Sequence, residues 1–189
     1  MIMLDEDEGQ YLLRLARETI TRYLESGQTP NPEPQDIPSR KLTENGACFV
    51  TLYMDGNLRG CIGSLERERP LVFDTIDNSI NAALRDPRFR PLEKNEIGKI
   101  KISISVLTEP EKKEFASPEE LLEFLVPGKH GLIIKKGWAR ATFLPVVWET
   151  LKTKNEFLSH LCMKAGLPAD AWKGNGMEYF IYEAQEFSE

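Results

Sequence analysis

The stretch Leu58-Arg59-Gly60-Cys61-Ile62-Gly63 sets one thiol between a guanidinium and two glycines. Read as a strand, its side chains alternate across the sheet. Leu58, Gly60 and Ile62 then share one face, and Arg59, Cys61 and Gly63 share the other. With Leu58 and Ile62 packed inward, Arg59 and Cys61 look outward together. A free thiol titrates near pH ~8.5, and a neighbouring guanidinium favours the thiolate. The glycines let a ligand or another backbone come close. Such a set can attack an electrophile or seat an anionic ligand. The competing reading makes Cys61 a small buried apolar residue, with the glycines marking a bulge or close packing.

Other residues could join that chemistry. Arg85, Arg88 and Arg90 cluster around Asp86-Pro87. Guanidinium groups bind carboxylates and phosphates bidentately, so the cluster reads as an anion site. The alternative is pairing with Asp86, Glu93 or Glu96, favoured for Arg85 and Arg90 and less so for Arg88. His130 sits between Lys129 and Gly131 in an expected loop, where it could act as general base for Cys61 or be an ordinary surface histidine. Trp148 and Glu149 follow a proline that opens a short helix and could line a pocket, or the Trp could pack under a hairpin. Cys162 lies on an apolar helical stripe and reads as core, while His160 lies off it and reads as solvated. The three cysteines, Cys48, Cys61 and Cys162, and the two histidines show no metal-ligand spacing, so no metal site is expected. No cofactor is named by any motif.

The elements that must position these residues are legible. Leu12, Leu15, Ala16, Thr19, Ile20 and Tyr23 form a helical stripe over 6–26, with acidic residues before it and Gly27 after it. Four prolines in 28–38 make an extended strap. Two apolar runs flank Asp55-Gly56-Asn57, a hairpin signal that puts Cys61 on the second strand. A helix opens at Pro70 and stops at Asp86-Pro87. Ile100, Ile102, Ile104 and Val106 alternate with polar residues, as in a half-buried antiparallel strand. Ser117-Pro118-Glu119-Glu120 caps a short helix, a second hairpin turns at Gly137, a helix spans 155–165, and an aromatic strand ends the chain. Strands are not regularly separated by helices, so the fold class is α+β with a mainly antiparallel sheet.

The chain has 189 residues, three cysteines and a net charge of −6. An odd cysteine count without CxxC spacing argues against a disulfide framework. An acidic protein does not bind nucleic acid through bulk charge, so nucleic acid is not an expected partner. No apolar run is long enough for a membrane span. The acidic start MIMLDEDEGQ does not read as a signal peptide. The expected location is the cytoplasm.

Leu58–Gly63 also resembles the signature of the AMMECR family, of the AmmeMemoRadiSam system protein A type. DPRFRPL (86–92), ISISVLTEP (102–110), PGKHGLIIKKG (127–137), ATFLPVVWE (141–149) and FLSHLCMKAGLPADAW (157–172) are similar to that family's blocks, in its order. The resemblance implies one domain with two unequal lobes. The larger, about 1–110 and 150–189, would hold a roughly five-stranded antiparallel sheet flanked by helices. The smaller, about 111–149, would hold a hairpin. The signature would face the cleft between them. The residues' own chemistry makes Arg59, Gly60, Gly63, Arg88 and Glu149 the candidate ligand-binding residues and Cys61 and His130 the candidate catalytic ones. The resemblance implies a Memo-like protein and a radical SAM protein as associates, and fixes no activity. Two functions stand: a thiol-dependent enzyme acting on a small or peptide-borne anionic group, and a non-catalytic adaptor or regulatory binding protein.

Overall fold

The computed structural model describes residues 4–189 and divides them into two compact units. The first comprises residues up to Leu107 together with Gln185–Glu189, and the second comprises Thr108–Ala184. Residues 150–184, expected with the larger lobe, group with 108–149 instead. The reason is packing. Phe157, Leu158, Leu161 and Trp172 bury their side chains against Leu121, Leu132 and Ile134, not against the first core.

In the first unit, helix α1 (Glu6–Ser26) is closed at its start by an Asp5–Glu8 capping box and at its end by left-handed Gly27. Two residues, β1 (Asn45–Gly46), precede β2 (Cys48–Met54), which turns through Asp55-Gly56 into β3 (Asn57–Gly63). Both turn residues have positive φ, 51° and 77°, as a two-residue type I′ hairpin requires. Then come β4 (Arg69–Pro70), which pairs with β1, helix α2 (Leu71–Leu84) and β5 (Ile100–Leu107). The sheet runs β3-β2-β5, antiparallel throughout, and continues into the end of the last strand, where the Glu189 amide donates to Ile102 O at 3.1 Å. Val50, Leu52, Ile102 and Ile104 turn one face of this sheet toward Leu12, Ile20, Val72 and Ile76 of the helices. Burying such apolar area is the dominant favourable term in folding.

In the second unit, β6 (Glu111–Lys113), α3 (Pro118–Phe124), the hairpin β7 (His130–Lys136) and β8 (Ala139–Phe143), α4 (Lys154–Lys164) and β9 (Glu178–Ser188, the last four residues of which lie in the first unit) follow in order. β7 pairs with both β8 and β9, and β6 pairs with β9. The expected helix at Pro145 is a 3-10 segment, Pro145–Glu149. The α+β class with antiparallel strands is observed in both units. No helix among the described residues is long and apolar enough to cross a membrane.

Candidate functional site

β3 is the edge strand of the order β3-β2-β5. An edge leaves backbone groups without strand partners. At Cys61 those groups are taken by side chains from the segment after α2. The Cys61 amide donates to Asp86 Oδ2 at 2.8 Å, and Arg88 Nη2 donates to the Cys61 carbonyl at 3.2 Å. Asp86 and Arg88 are themselves a bidentate pair, through Nε at 2.9 Å and Nη2 at 2.7 Å. The two side chains thus do the work of one residue of a neighbouring strand.

This clamp fixes the thiol's surroundings. Because its N–H and C=O point away from β2, Cys61 forms a non-hydrogen-bonded pair with its partner Thr51, the arrangement that brings facing side chains closest. Thr51 Oγ1 donates to Cys61 Sγ at 3.2 Å. The Arg88 guanidinium also interacts with the Cys61 side chain. Its pKa is raised first by the bond to Asp86, against burial, and Cys61 adds to the rise. Asp86 is held down to about 2, first by Arg88 and then, against its own burial, by the Cys61 amide. Cys61 is half-buried, whereas Cys48 and Cys162 are buried. Burial pushes both of those thiols up, Cys48 strongly. A cation and a hydroxyl donor on a partly exposed sulfur favour the thiolate.

The same face continues across the sheet. Thr51 faces Ser103 of β5, and Ser103 Oγ donates to Glu186 Oε1 at 2.7 Å. Tyr53, Lys101, Ser103 and Glu186 help line a hollow of about 520 Å³ on this side.

Arg59 is placed differently from its expectation. Leu52 pairs with Gly60 and Tyr53 with Leu58, so Arg59 is the extra residue of a β-bulge. The bulge breaks the alternation: Leu58, expected in the core, joins the face of Tyr53 and Cys61 and is 39% exposed. Arg59 is buried, with Nε and Nη2 on Glu96 at 3.2 and 3.1 Å and further bonds to the carbonyls of Arg90 and Pro91. Arg88, not Arg59, is the guanidinium at the thiol. The glycines serve packing. A Cβ on Gly60 would lie 2.1 Å from Ala82 O of α2, and one on Gly63 would lie 2.3 Å from the Phe49 ring. Arg90 pairs with Glu93 and Glu96, and Arg85 bonds Asn81.

His130 and Glu149 belong to the second unit. His130 is not a loop residue. It opens β7, is buried, stacks on Phe124 at 5.2 Å, and its Nδ1 accepts from the Val126 amide at 3.2 Å. That bond places the ring proton on Nε2 when the imidazole is neutral, and burial lowers its pKa. Glu149 is exposed at the end of the 3-10 segment. Trp148 beside it is buried, stacked on Phe157 at 3.8 Å, and donates from Nε1 to His130 O at 2.8 Å. Thr51 and Asp86 are the site residues the sequence reading missed. Counting back from Asp55-Gly56 would have set Thr51 against Gly60, and only the bulge moves it to Cys61.

A protein-family model described as AMMECR1 matches residues 13–187. The chain is similar to Protein MK0488 of Methanopyrus kandleri, 44% identical over 191 residues that span 97% of this chain and 89% of that one. It is similar to a protein of Methanosarcina mazei, 43% identical over 189 residues, 99% of this chain and 94% of that one. Among solved structures it is similar to the uncharacterized protein PH0010 of Pyrococcus horikoshii, with a TM-score of 0.91 and 38% identity over 98% of this chain and 93% of that one.

Proposed function

The chain belongs to the AMMECR1 family, and on that premise we propose that it is a thiol-dependent protein whose working group is Cys61. Cys61 is the nucleophile, and Arg88 holds the negative charge of the substrate or of the group that leaves. The observation that carries this reading is the placement of one partly exposed sulfur between a hydroxyl donor and a guanidinium, on a backbone clamped by Asp86. Arg59, Gly60 and Gly63 support the strand that presents it.

The test is thiol alkylation by iodoacetamide across pH, comparing wild type with Cys61→Ser. One thiol should react quickly in the native protein, with an apparent pKa below ~8.5, and should be lost in the variant. Reaction only after unfolding would make Cys61 a packing residue and overturn the reading.

A second reading, the non-catalytic adaptor, is favoured by a different observation. Trp138 stands fully exposed at the β7–β8 turn. Between residues 124 and 148 the chain carries Lys129, Lys135, Lys136 and Arg140 and no carboxylate. Exposed Trp and Arg are enriched among interface anchors, and the expected associates, a Memo-like and a radical SAM protein, are the partners to try in a pull-down against Trp138→Ala.

A further inference from the structure

We propose that the first unit carries a binding site for a small zwitterion, in the hollow on the open face of its sheet. Lys99 and Lys101 take the ligand's carboxylate and Glu186 takes its ammonium. The site does not depend on the state of Cys61.

Alternation builds the hollow. Leu52, Ile102 and Ile104 turn into the core, so Tyr53, Lys101 and Ser103 turn to the other face. Lys101 lies directly across from Tyr53. The end of β9 adds Glu186 and Glu189, and the Asp55-Gly56 turn and Lys99 complete the lining. The volume, about 520 Å³, is that of a small-molecule pocket. Every lining residue belongs to the first unit.

The charges of the lining decide what fits. Glu189 is already matched: Arg17 donates to it through Nε at 2.6 Å and through Nη2, and the Ile102 amide donates to its Oε2 at 3.0 Å. The other charges are two lysines, Lys99 and Lys101, and two carboxylates, Asp55 and Glu186. Among the described residues, none of these side chains has an ion-pair partner within 4.0 Å. Long side chains of opposite sign that share a hollow close on one another when they can reach. These stand apart, so the space between them matches a molecule that carries both charges. A lone anion would face Asp55 and Glu186, and a lone cation would face the lysines; like charges brought together select against both. Glu186 is preset for the ammonium. Ser103, 4% exposed, donates to its Oε1 at 2.7 Å and leaves Oε2 to accept from a ligand. A carboxylate already oriented by a buried hydroxyl loses less freedom on binding. Lys101 and Ser103 stand two residues apart on β5, about 7 Å along the strand. The cationic and anionic ends of the hollow are thus separated on the scale of an amino acid, not of a single ion pair.

The experiment titrates isotope-labelled protein at low ionic strength with butanoate, butylamine, α-aminobutanoate and γ-aminobutanoate, probes with the same carbon count, and follows the amides of Tyr53, Lys101 and Ser103 by NMR. At least one aminobutanoate should bind at least about tenfold tighter than both butanoate and butylamine, because each added hydrogen bond to a charged group contributes on that scale. Lys101→Met and Glu186→Gln should each weaken that aminobutanoate by at least about tenfold. Lys101→Met should not weaken butylamine, and Glu186→Gln should not weaken butanoate. Both side chains are exposed, so neither substitution touches the core. Cys61→Ser should leave every affinity within about twofold. Equal binding of all the probes, no saturable shift with any, or aminobutanoate binding that both variants retain overturns the proposal. The iodoacetamide test reads separately. Slow alkylation with zwitterion binding intact overturns the thiolate reading alone, and fast alkylation with no preference for the zwitterion overturns this site alone.

Discussion

Asp86→Asn is the substitution that most directly tests the edge clamp. The Asp86 carboxylate is 2% exposed and accepts four bonds, from the Cys61 amide and from the amide, Nε and Nη2 of Arg88. Its pKa falls from 3.8 to about 2, first through Arg88. At about 1.4 kcal/mol per tenfold, that fall corresponds to about 2.5 kcal/mol of stability at neutral pH. The figure is an upper value, because the Arg88 side chain is 55% exposed and solvent screens part of the pair. The sign follows from the folded value lying below the unfolded one. The contribution is complete above the unfolded pKa of 3.8 and is lost as pH falls through about 2. About 1 kcal/mol should be gone by pH 3 and about 2 by pH 2. Urea unfolding of wild type and Asp86→Asn at pH 7, 4, 3 and 2 reads this as the difference between the two proteins, so that other carboxylates cancel. The variant should be less stable by about 2 kcal/mol at pH 7, with the gap closing toward pH 2. A gap that is absent at pH 7, or unchanged at pH 2, would refute the clamp.

Further outcomes follow from burial and named contacts. Arg59→Met should destabilise by about 3–5 kcal/mol, because it leaves Glu96 buried with less compensation, and Arg59→Met with Glu96→Leu should recover most of the loss; a neutral single variant in urea unfolding would return Arg59 to the list of ligand-binding residues. Gly60→Ala should cost about 3 kcal/mol or more, since its Cβ meets the α2 backbone and not a flexible side chain. Trp138→Ala should change thermal stability by less than about 0.5 kcal/mol while shifting tryptophan emission to the blue, and Trp148→Ala should cost about 3–5 kcal/mol.

Local pattern carried most of the elements. The stripe on α1, the alternation in β5, the capping of α3 and the Asp55-Gly56 turn each depend on residues within a few positions, and each is where the pattern puts it. The site was legible only to its centre. Cys61 and Arg88 both stand out in the sequence and the fold brings them together, but the neighbourhood of Arg59 does not follow from the pattern, because one extra residue in β3 reverses which side chains share a face. No residue type marks that bulge. His130 was misplaced for a related reason: flanking glycine and lysine read as loop, while its burial comes from Phe124 and from a bond to the Val126 amide. The grouping of 150–184 depends on which apolar face meets which, and periodicity states only that such faces exist.

An exposed strand edge is a hazard that proteins cover with charge, bulges or other segments. Here the cover over Cys61 is an ion pair, and it does two things at once. Asp86 and Arg88 satisfy the edge, and in doing so Arg88 delivers a guanidinium to the thiol. Stability and sulfur chemistry therefore share their contacts on that side. Any substitution of Asp86 or Arg88 changes both, and a loss of reactivity there has two explanations. Thr51 is different. It reaches the same sulfur from β2, inside the sheet, and contributes nothing to closing the edge. Valine keeps its β-branched shape on a strand that favours it, so Thr51→Val removes the hydroxyl from the sulfur and leaves the clamp in place. Reactivity lost in that variant at wild-type stability belongs to the thiol's chemistry alone.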